Sequence, residues 1–253
     1  MVKVFFEEVI NNNKLKDMQV VDMHCHTNVS DGLDTTEIMI KQAKKLNIGI
    51  SITDHNEVSA SLKACKKIFS IPGIEITSSD AIDFLVYFYK PKDLEHFYNK
   101  YIKGKHLSSR IFNLRKLQWN TIELLEHLEK YNCVTVLPHP LTMRPKNSYI
   151  YMHNNPELMK YLDCIEVINS IMSPESNEKV TEWARELKVG ATGASDAHMH
   201  KNLGKAVTAS YANTQEEFLN HIIKEKNIVI GKSLTGFRKF YNNAYIFRRN
   251  LKW

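Results

Sequence analysis

Short apolar segments of this chain end, one after another, in histidine or carboxylate residues. The first of them, residues 18–23, opens into His24-Cys25-His26. In a β-strand, residues two apart point to the same side, so the two imidazoles are expected on one face and Cys25 on the other. Two imidazoles held this close either form a hydrogen-bonded structural pair or share a divalent metal ion, and the spacing alone leaves both interpretations open.

The same arrangement recurs along the chain and predicts the fold class. Thr35 caps a helix that ends near Leu46, and further helices separate most of the later strands. Strands that alternate with helices pair in parallel through right-handed crossovers. Because several strand ends carry titratable residues, we expect a closed or nearly closed α/β barrel, with an open doubly wound sheet as the alternative. Further strands are predicted at 48–53, 74–77, 82–89, 133–137, 163–168 and 189–193.

Composition limits the class of protein. The chain has 253 residues, 43% of them hydrophobic and 25% charged, which suits one large α/β domain or two small ones. The longest apolar runs, such as 84–89, are too short for a membrane span. The four cysteines show no Cys-x-x-Cys spacing and the N-terminus does not resemble a signal peptide, so we expect a cytoplasmic protein without disulfides.

The predicted domain organisation has three parts. A lead-in over 1–17 precedes a barrel domain over 18–233, and residues 234–253 form a basic, aromatic C-terminal segment. We interpret that segment as packing its aromatic side chains on the barrel, with a nucleic-acid or membrane-surface patch as the alternative. The formal net charge is +6, which permits an anionic substrate.

Nine residues at predicted strand ends are of the types that bind metal ions. Asp196 and His198 repeat the two-residue spacing of His24 and His26. A single buried histidine is more often a hydrogen-bonded core residue than a ligand, but nine such residues in one positional class favour a metal site. The set comprises His24, His26, Asp31, His55, Glu75, Asp83, His139, Asp196 and His198.

At these positions the chain resembles the polymerase and histidinol phosphatase (PHP) family, over about residues 18–205. The resemblance implies a distorted (β/α)7 barrel in a single domain, with the active site at the C-terminal ends of the strands, where three metal ions hydrolyse phosphate esters. The matching stretches are Asp22-Met23-His24-Cys25-His26, Ser30-Asp31-Gly32, Thr53-Asp54-His55-Asn56, Pro72-Gly73-Ile74-Glu75, His139-Pro140, Glu166-Val167-Ile168-Asn169 and Ser195-Asp196-Ala197-His198.

The resemblance also implies a place for each ligand. Glu75 bridges two metals, the second of which is bound by His139. Asp83 stands where family members usually have a histidine for that second metal. Carboxylate can replace imidazole on zinc, manganese or iron, so we expect Asp83 to be a ligand, with a simple surface residue as the alternative. The first metal takes His24, His26, Glu75 and Asp196, and the third takes Asp31, His55 and His198.

The charges of this set suit a phosphate monoester. Four carboxylates and three divalent ions leave about +2 to meet the substrate dianion. Bound metal lowers the pKa of water toward 7, so a metal-bound hydroxide is available at neutral pH. Asp196 and His198 are the candidates for proton transfer to the leaving oxygen. Asp54 and Glu166 are expected to orient ligand imidazoles, and the candidates for binding the substrate phosphate are Arg144, Lys146 and Arg110.

These residues predict a metal-dependent phosphoesterase that acts on a small nucleotide or a short oligonucleotide. The expected partner is a phosphorylated small molecule or nucleotide, or a short nucleic acid, and the expected cofactors are three divalent ions of zinc, manganese or iron. A histidinol-phosphate or phosphotyrosine phosphatase is the alternative within the same class of enzyme. A non-catalytic metal-binding or nucleic-acid-binding module is the alternative of another class, disfavoured because eight of the nine usual ligand types are retained.

Overall fold

The computed structural model describes residues 1–10, 12–107, 116–142 and 147–234. Most of its strands are short and apolar, and several of them are buried along their whole length. Strands buried on both faces are expected where a sheet is covered on each side. The described strands are β1 (Lys3–Phe5), β2 (Gln19–Cys25), β3 (Gly49–Ile52), β4 (Gly73–Thr77), β5 (Asp83–Phe88), β6 (Cys133–Leu137), β7 (Cys164–Asn169), β8 (Gly190–Ala194), β9 (Ala206–Ser210) and β10 (Ile228–Gly231).

The helices begin at local capping signals in the sequence. Thr35 accepts a hydrogen bond from the Ile38 N–H and starts the first helix, as predicted, and Asn120 forms a capping box with Glu123. Such caps satisfy N–H groups that have no partner within the helix. The described α-helices are α1 (Thr36–Leu46), α2 (Ser59–Cys65), α3 (Pro91–Phe97), α4 (Thr121–Leu128), α5 (Ser148–Asn154), α6 (Pro174–Leu187) and α7 (Gln215–Ile223).

The strands form two mixed sheets, so the predicted (β/α)7 barrel is wrong. One sheet has the order β1-β10-β9-β2-β3 and the other β4-β5-β6-β7-β8, and within the described residues neither closes into a barrel. Strand β5 is antiparallel to both of its neighbours, and β9 is antiparallel to β2 and β10. Only five residues separate β4 from β5, whereas a parallel crossover needs a dozen or more. The chain therefore makes a hairpin where the barrel requires a crossover.

The two sheets meet along strand β8. This strand lies against β2, β9 and β10 of the first sheet, and the Gly193 N–H donates to the Thr208 hydroxyl of β9 at 2.9 Å. A Cβ atom at Gly193 would overlap the Val229 side chain of β10, so the close approach of the strands requires glycine there. Residues after β2 and after β8 are thereby brought together, and these include His26 and Asp196.

The largest apolar core lies between the second sheet and its helices. Phe84 and Phe88 of β5 are fully buried and pack with Phe97 of α3 and Leu124 of α4. Residues 3–5 of the lead-in add an edge strand beside β10. None of the described helices is long and apolar enough to cross a lipid bilayer.

Candidate metal centre

The structure brings together all nine residues that the sequence predicts as metal ligands. Each belongs to at least one group of three residues whose ligand atoms lie within 4.8 Å of one another. Both sheets contribute: β2 and β3 with the turns that follow them on one side, and β4 to β8 on the other. The cluster consists of His24, His26, Asp31, His55, Glu75, Asp83, His139, Asp196 and His198.

Four of these side chains form a compact donor set. The Nε2 atoms of His24 and His26 are 2.9 Å apart, and each lies 3.3 Å from Glu75 Oε2. Asp196 Oδ1 lies 3.5 Å from His24 Nε2 and 3.3 Å from His26 Nε2. Ligand atoms about 2.1 Å from a tetrahedral zinc are about 3.4 Å apart. These separations therefore have the size of one transition-metal coordination sphere.

The two-residue spacing places the first two histidines as expected. The rings of His24 and His26 have centroids 5.0 Å apart, while Cys25 packs into a different apolar cluster with Met39 and Ile52. His24 and His26 therefore lie on one side of the strand, and Cys25 lies on the other side, in the apolar core. This confirms the alternation inferred from the sequence.

Glu75 connects this donor set to further imidazoles. Its Oε1 atom is 3.1 Å from His139 Nε2, while Oε2 faces His24, His26 and, at 3.3 Å, His55 Nε2. The two oxygens of one carboxylate thus face different imidazoles, as a bridging ligand requires. Because Glu75 lies in β4 with only 1% of its surface exposed, its carboxylate is held rigidly inside the cluster.

A third group forms around Asp31. Asp31 Oδ2 is 3.3 Å from His198 Nε2 and 3.7 Å from His55 Nε2. His198 donates from Nδ1 to its neighbouring Asp196 carbonyl at 3.0 Å, which leaves Nε2 as the atom that faces Asp31. This hydrogen bond selects the tautomer in which Nε2 carries no proton and offers its lone pair to a cation.

Asp83 is buried at the edge of the cluster. It is the first residue of β5, and because β5 is antiparallel to β4, it pairs with Thr77 at the site end of that strand. The Thr77 hydroxyl donates to Asp83 Oδ1 at 2.7 Å, and only 7% of the Asp83 surface is exposed. Its ligand atom is grouped with those of His55 and Glu75.

Of the two predicted orienting carboxylates, Glu166 contacts an imidazole. Glu166 Oε1 is 3.1 Å from His24 Nδ1, and Glu166 Oε2 accepts a hydrogen bond from the backbone N–H of His139 at 2.8 Å. Asp54 instead accepts from the backbone and hydroxyl of Thr27 at 2.8 and 2.6 Å and from the Ser30 hydroxyl at 2.5 Å. Asp54 therefore holds the loop that leads to Asp31.

Two supporting residues were missed from the sequence. Asp22 accepts from the Ser195 N–H at 3.0 Å and from the Gly204 N–H at 2.7 Å, and so fixes the turn before Asp196. Burial raises the pKa of the Asp22 carboxyl to about 6, although the hydrogen bonds that this carboxylate accepts act to lower the pKa. Asn169 donates to Glu166 at 2.8 Å and to Asp196 at 3.3 Å. The alternation that placed His24 and His26 on one face also placed Asp22 there, so this residue had a sequence signal.

The backbone is strained at two of the nine positions. His139 has φ of 30° and Asp196 has φ of 51°, in the left-handed region that non-glycine residues seldom occupy. Such conformations persist where the surrounding structure enforces them, and they concentrate at functional sites. Both residues follow strands by two positions, so the strain turns their side chains into the cluster.

The charged groups of the cluster are strongly coupled. Burial tends to raise the pKa of the Glu75 and Asp196 carboxyls, but the adjacent histidines hold both pKa values well below their ordinary range. Burial tends to lower the pKa of His24, yet the carboxylates of Asp196, Glu166 and Glu75 raise it well above the usual value. Positive charge is therefore needed among these carboxylates, as protons on imidazole or as metal ions that displace them.

The donor chemistry fits divalent metal ions. His26 Nδ1 and Asp196 Oδ1 are buried without a hydrogen-bond partner, which is costly for polar atoms unless a cation satisfies them. Imidazole and carboxylate together suit zinc, manganese and iron. The predicted substrate-binding residues Arg110, Arg144 and Lys146 and the segment 235–253 lie outside the described residues.

Comparison with known proteins supports the fold. Residues 174–227 match the PHP_C family model, described as PHP-associated. A two-domain protein from Bacteroides vulgatus, described as containing a PHP-like metal-dependent phosphoesterase, superposes with a TM-score of 0.59 at 18% identity, over 93% of this chain and 73% of that one. The PHP resemblance inferred from the sequence is confirmed by the matched segment and the shared fold.

Two nucleases are also similar to this chain. The 5′-3′ exoribonuclease Rnm of Salmonella typhimurium is 35% identical over 68 residues, which are 23% of this chain and 23% of the relative, so the match spans less than a quarter of that protein. The lesion-specific endonuclease PfuEndoQ of Pyrococcus furiosus superposes with a TM-score of 0.63 at 15% identity. That match covers 84% of this chain and 57% of the endonuclease.

Proposed function

We propose that this chain is a metal-dependent phosphoesterase that hydrolyses phosphate esters of a small nucleotide or short oligonucleotide. The observation that carries the proposal is the clustering of five imidazoles and four carboxylates in overlapping groups with ligand atoms within 4.8 Å. A hydrogen-bonded core does not require so many ionisable groups at one place, and burying them without cations is unfavourable.

The proposed ligand sets follow the distances. His24, His26, Glu75 and Asp196 hold the first metal ion. The third ion is held by Asp31, His55 and His198. His139 and Glu75, through its Oε1 atom, would hold the second ion, and Asp83 completes the cluster beside Glu75 and His55.

The chain's own residues have distinct roles in the proposed reaction. When bound, divalent ions supply Lewis acidity that lowers the pKa of water and neutralises phosphate oxygens. Glu166 orients the His24 ring through its Nδ1 atom, and the backbone carbonyl of Asp196 orients His198. Asp196 and His198 lie 3.5 Å apart at Oδ1 and Nδ1 and are the proposed groups for moving a proton toward the leaving oxygen.

The nucleotide or oligonucleotide substrate is proposed from the comparisons. Two of the similar proteins are named as nucleases, one an exoribonuclease and one an endonuclease. Both kinds of enzyme cleave phosphodiesters of nucleic acid. Neither name points toward histidinol phosphate or phosphotyrosine, so we place those substrates second.

Metal analysis combined with a substrate panel tests the proposal. We expect two to three divalent ions per chain and turnover of a 5′-mononucleotide, a 3′,5′-bisphosphate or a short oligonucleotide. The panel also includes an aryl phosphate, histidinol phosphate and a phosphotyrosine peptide. Fewer than two metals, together with no turnover after addition of manganese, zinc or iron, would contradict it.

A matched pair of variants separates the site from general effects. We expect Asp196→Asn to lower kcat/KM at least about 1,000-fold, because it removes a ligand charge and a proposed proton carrier. Asp17→Asn makes the same chemical change at an exposed residue and is expected to retain activity. Equal rates for the two variants would refute the placement of Asp196.

A further inference from the structure

Helix α1 and the end of the neighbouring helix α2 present lysines to solvent. Lys41, Lys44 and Lys45 of α1 stand at positions i, i+3 and i+4, and residues at this spacing lie on one side of a helix. Lys63 lies in the last turn of α2, and Lys66 and Lys67 follow its final residue, Cys65. The two helices contact each other. We call this surface the α1–α2 lysine face; its six exposed members are Lys41, Lys44, Lys45, Lys63, Lys66 and Lys67.

Little negative charge on this surface balances the lysines. Residues 36–67 contain six lysines and three acids, a net +3 within a chain whose total is +6. Asp54 is buried in the loop of the metal centre, and Glu57 accepts the N–H groups of Val58 and Ser59. Among the described ion pairs, only Lys63 of the six meets a carboxylate, that of Glu37. Like charges three and four residues apart repel, so this surface favours a bound polyanion.

Both helices begin beside the metal centre. Helix α1 follows the loop that carries His26 and Asp31, and α2 begins four residues after His55. At about 1.5 Å per residue, Lys44 lies about 12 Å along α1 from its first residue. A nucleic-acid strand rises about 3.4 Å per phosphate, so this distance corresponds to about four nucleotides. A strand with one phosphate at the centre is long enough to reach the lysines.

We propose that the α1–α2 lysine face binds the phosphate backbone of a single-stranded nucleic acid whose reacting phosphate occupies the metal centre. The inference rests on the proposed function for the reaction at that phosphate, whereas the binding surface stands on its own. Because the phosphate backbone is the same for every sequence, a face that binds it does not read the sequence of the strand. We therefore expect strands that reach the lysine face to bind more tightly than mononucleotides.

The apolar side of α1 argues against a membrane as the partner. Met39, Ile40 and Ala43 are buried against the protein, with 0%, 5% and 0% of their surfaces exposed. A helix that binds a bilayer surface needs such residues free to enter the lipid. The exposed side of α1 carries three lysines and one partly exposed apolar residue, Ile38, with 40% of its surface exposed, which suits a phosphate backbone better than lipid.

The test compares two fourfold variants of equal charge. Lys44→Gln, Lys45→Gln, Lys66→Gln and Lys67→Gln remove lysines of the face but spare Lys63. The control changes Lys103, Lys130, Lys224 and Lys226 to Gln, which are exposed outside α1, α2 and the helix α3 that contacts α2. Fluorescence anisotropy measures binding of labelled ten-nucleotide RNA and DNA strands with non-hydrolysable phosphorothioate linkages, over a range of salt concentrations. The same proteins are assayed on an aryl phosphate and mixed with anionic vesicles containing phosphatidylserine.

We expect the face variant to bind strands at least about tenfold more weakly, with a log–log salt slope shallower by about 3, while the control matches the wild type. Turnover of the aryl phosphate is expected to be equal in all three. If no phosphate ester is hydrolysed but the difference in strand binding persists, the proposed function fails and the lysine face stands. Equal strand binding by the two variants, or binding of the wild type to vesicles but not to strands, would overturn the inference.

Discussion

At the scale of single residues, the candidate centre is organised by carboxylates that each contact several imidazoles. Glu75 faces His139 with one oxygen and three further histidines with the other. This arrangement explains why its pKa is held low despite complete burial. It also means that the positions of the imidazoles depend on carboxylates behind them, of which Glu166 is the best defined.

The contact between Glu166 and His24 predicts a measurable effect on metal binding. Glu166→Gln keeps the shape of the side chain but removes the charge that orients and polarises the His24 ring. Orienting partners of this kind typically contribute 10- to 100-fold in metal affinity, so we expect a loss of about that size in titrations with zinc or manganese. The matched control is Glu178→Gln on the exposed side of α6. An unchanged affinity in Glu166→Gln would show that this contact does not support a ligand.

Asp83 provides a second test at residue scale. Because its carboxylate lies beside Glu75 and His55 and is held by Thr77, we expect Asp83→Ala to lose up to one metal ion per chain and about 100-fold in rate. Asp83→His restores the residue type usual in the family and is expected to retain the metal. Elemental analysis of purified protein measures both. Identical metal content in wild type and Asp83→Ala would exclude Asp83 as a ligand.

At the scale of secondary structure, the sequence predicted most elements but not their directions. The strand that carries His24, the strands that precede His139 and Asp196, and the helix capped by Thr35 lie where the apolar pattern placed them. Apolar periodicity reports burial and not the direction of pairing, so the reversal of β5 was missed. Strand β9, which is antiparallel to β2, was not predicted at all. The direction of β5 could have been inferred from the five-residue link before Asp83, which is too short for a parallel crossover.

The error in strand direction did not change which candidate ligands come together, because strand ends converge in either architecture. His24 lies near the end of β2, which is parallel to β3, and Asp196 follows β8, which is parallel to β7. Asp83 starts β5, which is antiparallel to both of its neighbours, and still reaches the same edge. The supporting contacts of Asp22 and Asn169 were not predicted, since they depend on distances across 173 and 27 residues of chain. Periodicity within one segment does not reveal such contacts.

The ends of two helices give a prediction about stability. The residues that cap the C-terminal ends of α6 and α1 are Lys188 and Asn47, and both have the left-handed conformation with φ near 55°. This conformation is unfavourable for lysine but tolerated by asparagine and free for glycine. We therefore expect Lys188→Gly to raise the free energy of unfolding by about 0.5–1 kcal/mol, seen as a rise of about 1–4 °C in Tm.

Two controls accompany the Lys188 variant. Asn47→Gly is expected to change Tm much less, because asparagine already accepts that backbone. Lys188→Ala removes the same charge without relieving the backbone and is expected to give no gain. A gain in Lys188→Ala equal to that in Lys188→Gly would assign the effect to charge and contradict the backbone argument.

At the scale of the whole molecule, the proposed metal ions connect the two sheets. His24, His26 and His55 belong to the first sheet and its turns, whereas Glu75, His139 and Asp196 belong to the second. The first donor set, which is proposed to hold one ion, takes its ligands from both sheets. Since a ligand that binds only the folded state stabilises it, metal binding is coupled to the packing of one sheet on the other.

Removal of metal is therefore expected to destabilise the whole fold and not only the site. At a free metal concentration 100 times Kd, one site contributes about 2.7 kcal/mol, which corresponds to roughly 5–11 °C in Tm for a chain of this size. We expect a chelator to lower Tm by at least this amount in the wild type and in Asp17→Asn, and by clearly less in Asp196→Asn, whose first donor set is already impaired. Differential scanning fluorimetry with and without chelator measures the three differences independently of any substrate. Because the ligands come from opposite sheets, we expect the chelator to shift a single unfolding transition to lower temperature. A separate early transition, with the main unfolding transition unchanged, would mean that the ions stabilise only a local part of the structure.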